Sequence, residues 1–126
     1  MEQNLDAEML YAQFTKSILK CKNDYTAAAK IIGEYNGKLL AMKYAPISFK
    51  FANFVNKMDW KNVLTPEQYV SIIRSHGEIV IKSGDSDYNY WFASLVTGSD
   101  VEKHDEMVSK SGNAEMIKKI GQRKIR

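Results

Sequence analysis

The chain has 126 residues, 44% hydrophobic and 26% charged, with a net charge of +3, a length and composition that suit one domain with a core of its own. Its single cysteine, Cys21, excludes an internal disulfide and a thiolate zinc site of the usual finger type, and points to a reducing compartment, in the simplest case the cytosol. Two prolines and seven glycines are too few for the many turns of an all-β sandwich, so the fold class is expected to be all-α.

The first predicted helix runs from about Asp6 to Lys22. Ala7, Leu10, Tyr11, Phe14, Ile18 and Cys21 recur at helical spacing on one face. Acids near its start and lysines near its end complement the helix dipole. The polar segment before it, from Met1 to Asp6, lacks the basic cluster and apolar stretch of a secretory signal, and no apolar run has the length of a membrane span.

Asn23 or Asp24 caps a second helix through Ala27 and Ile32. Gly33 and Asn36-Gly37 then interrupt the pattern, and two readings fit. A short helix, a turn and another helix to Tyr44 is one. A small β-hairpin over residues 31–40 with an Asn-Gly turn is the other. The first is preferred because Ala27 to Lys30 and Leu39 to Lys43 are good helix formers. Ala29, Gly33, Leu39 and Met42 also resemble a helix-turn-helix unit, with a small residue for close approach, a glycine for the turn and two apolar residues under the second helix.

Pro46 opens a third helix. Ile47, Phe51, Phe54, Val55 and Met58 line one face, and Lys50, Asn53, Lys57 and Lys61 follow another. Thr65-Pro66-Glu67-Gln68 is a capping box with proline at the first helical position, and Leu64 and Tyr69 are placed as its hydrophobic staple. That helix is expected to pass Gly77 and reach Lys82. Gly84 stops it, and a residue from Asp85 to Asp87 caps a segment from Tyr88 to Thr97. In that segment Tyr88, Trp91, Phe92 and Leu95 face the core and Tyr90 points elsewhere. Ser99 and Glu102 form a second capping box for a helix to about Ser111. Asn113 caps a last segment through Ile120, followed by Gly121 and a basic tail. The expected architecture is a bundle of six or seven short helices, with residues 1–117 as the domain and 118–126 as the tail.

Charge is unevenly spread. Three acids against six lysines leave residues 23–64 at +3. Nine acids against four bases leave 65–117 at −5, and 118–126 carry five bases and no acid. Such polarity steers an anionic partner.

Catalytic signals are weak. His76 lies on the inner or boundary face of its helix and reads as a packed residue. Asp100 and His104, four apart, share a face, but no further ligands follow at metal-site spacing, and the segment reads as a solvated acidic surface. Gly84-Asp85-Ser86-Asp87 lacks the glycine and late glutamate of an EF-hand loop. Phosphate-cradling glycine motifs and a nucleophile elbow are missing. The expectation is a non-enzyme without cofactor or metal.

Three cationic groups instead suggest a nucleic-acid-binding regulator or accessory subunit: Lys38 and Lys43 at the helix-turn-helix-like segment, Lys50, Asn53, Lys57 and Lys61 on the third helix, and Lys118, Lys119, Arg123, Lys124 and Arg126 in the tail. The alternative is a protein-binding inhibitor or adaptor presenting Asp85, Asp87, Tyr90 and Trp91 to a basic partner. A homodimer through the helix carrying Tyr11 and Phe14 also fits. The wealth of Lys, Asn, Ile and Tyr suits a small AT-rich genome, such as that of a phage or another mobile element.

Overall fold

Asp24, Thr65, Asp85, Asp100 and Asn113 each close the first turn of a helix with a side-chain oxygen. The computed structural model describes the backbone of residues 2–125 and the side chains of residues 5–124. Seven α-helices fill that span: α1 (Glu2–Cys21), α2 (Tyr25–Met42), α3 (Ala45–Lys57), α4 (Pro66–Ser83), α5 (Ser86–Leu95), α6 (Val101–Ser111) and α7 (Ala114–Ile125), with a 3-10 turn at Trp60–Asn62. The all-α bundle is therefore the fold, and no strand occurs among the described residues. The carboxylates of Asp24 and Asp85 accept from the amides of Ala27 and Tyr88, each at 3.0 Å. The Thr65 hydroxyl accepts from the Gln68 amide at 3.1 Å, while the Gln68 side chain accepts from the Thr65 amide at 2.9 Å. Each such cap satisfies backbone donors that the first turn leaves open, worth about 1 kcal/mol.

The principal core is built by α1 to α5. Phe14 of α1 is fully buried, with its ring 4.8 Å from Phe51 and 5.3 Å from Phe54 of α3 at steep angles. Ile32 and Leu39 of α2, Ile73 and Val80 of α4 and Phe92 of α5 complete it. A smaller cluster of Val108, Met116 and Ile120 joins α6 to α7, and Tyr90 of α5 covers it. Gly77 lets α4 press against the next two helices: a Cβ there would stand 3.2 Å from His104 Nε2 and 3.3 Å from the Phe92 ring.

Several expectations need correction. Residues 31–40 are neither a hairpin nor a helix-turn-helix, because α2 continues unbroken through Gly33, Asn36 and Gly37. The reason is tertiary. Ile32 and Leu39 are buried on the inner face, Asn36 bonds to His76 across the bundle, and both glycines face open space, where their missing side chains cost only propensity. The cap of α6 is Asp100, which accepts from the Lys103 amide at 3.2 Å. Ser99 is turned inward instead, following the left-handed Gly98 at φ 88°. Helix α5 stops at Leu95, and that leucine is half exposed rather than part of the core. The basic residues from Lys118 to Lys124 do not form an extension. They lie on α7, which runs through Gly121 because Met116 and Ile120 anchor it.

Candidate nucleic-acid interface

Helix α3 carries a ridge of cations with no acid on the same helix. Its floor is fixed by Ile47, Phe51 and Val55, all at most 2% exposed. That leaves Lys50 and Lys57 on the solvent side, two turns apart, or about 10 Å along the axis. Lys61 follows in the 3-10 turn, with Nζ 6.0 Å from the Trp60 ring centroid, and Trp60 in turn stacks on Tyr69 at 3.9 Å. Lys22, at the left-handed end of α1, reaches the same end of α3 across a hollow of about 310 Å³ that it shares with Phe54 and Met58. Among the described residues these four lysines form no ion pair. Asn53, expected on this ridge, is half-buried, and its side-chain oxygen is enclosed without a hydrogen-bond partner. Lys22 was missed in the sequence because it belongs to a different helix.

The other predicted cations do not join this ridge. Lys38 pairs with Glu34 at 3.2 Å and sits over the Tyr35 ring. Lys43 is the left-handed C-cap of α2 and lines a hollow with Glu78 and Lys82 of α4. On α7, which packs on α5 and α6, Lys119 pairs with Glu115 at 3.6 Å. Arg123 is bound inward. It donates to the Asp105 carboxylate, donates to Ser94 Oγ at 2.6 Å and lies over the Tyr90 ring. Lys124 stands 3.7 Å from the same carboxylate. Among the described residues Lys118 is exposed and forms no ion pair, and Arg126 lies outside them. The protein-binding alternative is dispersed as well: Asp85 serves as a cap, Tyr90 packs under Arg123, and Trp91 leans on Tyr88 and Phe49. Asp87, half-buried in the first turn of α5, is what remains of the acidic pair.

Both histidines are interior. His76 Nε2 meets Asn36 Oδ1 at 2.8 Å, and Nδ1 meets Ser48 Oγ at 3.0 Å, tying α4 to α2 and α3. An amide oxygen only accepts, so Nε2 carries the proton and Nδ1 accepts from the serine. Burial pushes the His76 pKa down to about 3. His104 corrects the reading of α6 as a solvated acidic face. It is 1% exposed, stacks on Phe92 at 4.7 Å, and its Nδ1 meets Asn89 Oδ1 at 2.7 Å. The Asn89 amide nitrogen already donates to the carbonyls of Val80 and Asp85, so its oxygen faces the ring and His104 Nδ1 is the donor. Burial lowers the His104 pKa to about 4, outweighing the nearby Asp100 and Asp105 carboxylates, which pull it up. Nε2 then keeps its lone pair toward a cleft of about 270 Å³ lined by Arg74, Gly77, Glu78, Asp100 and Lys103. Arg74 is already held there by Asp100 at 3.3 Å and by the Gly98 carbonyl at 2.9 Å. No group of three or more metal-ligating side chains occurs among the described residues, nor a helix long and apolar enough to cross a membrane.

No protein-family model, curated protein or solved structure matches this chain.

Proposed function

We propose that the chain is a small non-catalytic nucleic-acid-binding protein, a regulator or an accessory subunit of a nucleoprotein complex, that grips the phosphate backbone with the α3 ridge. The observation that carries this reading is the row of Lys50 and Lys57 on the acid-free α3, continued by Lys61 in the 3-10 turn and joined by Lys22, all exposed and, among the described residues, without an ion pair, with Asp59 on the rim of the same hollow as the acid beside them. The contribution of α7 is small in this reading, because Arg123 and Lys124 are engaged with Asp105 and Lys119 with Glu115, which leaves Lys118 as its one exposed cation without an ion pair among the described residues. The contact is electrostatic and largely indifferent to sequence, since lysines on phosphates read no base edges.

The test is binding of a labelled duplex and a labelled single strand across a salt series. Three to four phosphate contacts give a slope of log K against log salt of about −3 on duplex. Reversing charge at Lys50 and Lys57 together is expected to abolish binding, while K118A/K119A leaves the slope nearly unchanged. No binding at about 50 mM salt, or binding that survives K50E/K57E, overturns the proposal.

A further inference from the structure

Helix α1 has two apolar stripes on opposite sides. The inner one, with Ala7, Phe14 and Ile18, is used up by the core. The outer one is Leu5, Met9, Ala12 and Leu19, with Lys16 in line between the last two. Leu5, Met9 and Leu19 are 58%, 55% and 73% exposed, the largest run of exposed apolar side chains on any helix of the described chain. Their spacing alternates four and three residues, the repeat of a coiled-coil seam. A surface helix of a lone domain needs one apolar stripe, and a second one facing water marks an interaction surface.

We propose that this outer stripe pairs with the same stripe of a second copy of the chain, antiparallel, about a two-fold axis at Ala12. Charge along the helix selects that occupant and that direction. Asp6 and Glu8 stand near the start, Lys16 and Lys20 near the end, all exposed and all without ion-pair partners among the described residues. In an antiparallel pair centred on Ala12, Leu5 meets Leu19 of the other copy, and Met9 meets the methylene stem of Lys16. Asp6 comes alongside Lys20, and Glu8 alongside Lys16, each twice by symmetry. A parallel pair in register would set acid against acid and lysine against lysine. The small Ala12 at the crossing lets the helices approach closely. The interface differs from the dimer expected through Tyr11 and Phe14, which is not available because Phe14 is fully buried in its own core and Tyr11 is half-buried beside it.

A 20-residue helix is about 30 Å long. One such pair buries less than the roughly 800 Å² per partner of a standard interface, so association is expected in the micromolar range. Sedimentation equilibrium of the full chain, without nucleic acid, should show the weight-average mass rising from 14.4 kDa toward twice that value with concentration. L19E should weaken association at least about tenfold while leaving the helical circular-dichroism signal and thermal midpoint unchanged, since Leu19 is 73% exposed. D6K should weaken it, and D6K/K20D should restore it. Direction is read by mixing L5C and L19C, both with Cys21→Ser: mild oxidation should join position 5 to position 19. A mass fixed at 14.4 kDa up to about 300 µM, a dimer indifferent to L19E, or disulfides joining 5 to 5 and 19 to 19 overturns the proposal. All of these readouts are independent of nucleic-acid binding.

Discussion

Lowering the pH from 7 to 5 should cost this fold about 4 kcal/mol, through two buried histidines. His76 and His104 are neutral in the native state, held by burial at about 3 and about 4 against an ordinary 6.5. Unfolded, each takes a proton below pH 6.5; folded, neither does until pH 4 or lower. Stability that is fully present above 6.5 is therefore lost as pH falls through that window. At pH 5, one and a half pH units below 6.5, each histidine costs about 2 kcal/mol at 1.36 kcal/mol per unit. Carboxylates in the unfolded chain titrate lower, so they add little above pH 5. Urea denaturation is the assay: with a slope of about 2 kcal/mol per molar, the midpoint should drop by about 2 M between pH 7 and pH 5. H76Q and H104N should each remove about half of that drop, whatever they do to the stability at pH 7. A midpoint that stays level to pH 5, or a drop that persists in the double variant, would refute the assignment of buried neutral imidazoles.

Two further outcomes follow from the packing. Gly77→Ala should destabilise by about 1–3 kcal/mol, because its methyl would press on the His104 and Phe92 rings; thermal denaturation checks it, and an unchanged midpoint would mean that α4 does not approach α5 and α6 so closely. Arg123→Ala should cost about 2–4 kcal/mol, since it leaves the Asp105 carboxylate buried without its principal counter-charge. Hydrogen exchange should then show α7 opening before the rest of the bundle, and uniform protection of α7 in the variant would contradict its anchoring by this pair.

The all-α character and most helix limits were legible from residue chemistry alone. Caps such as Asp24, Thr65 with Gln68, and Asp85 act within three residues, so the sequence contains both partners of each bond. The same holds for the inner stripes of α1 and α3, whose spacing reveals which side is buried. Tertiary contacts decided what the sequence could not rank. Asn36-Gly37 is a turn signal by composition, yet a bond from Asn36 to His76, 40 positions away, holds it in a helix. Asp105 and Arg123 are 18 positions apart, and their pairing converts an apparently free basic tail into a docked helix. His104 belongs to a run of charges but turns inward because Asn89, on another helix, offers it an acceptor. Local hydrogen bonds and periodicity are encoded over one or two turns of chain, whereas the partner of a buried polar group is chosen by how the helices stack. For that reason the α3 lysines stayed a ridge while Arg123 of α7 was absorbed into the fold.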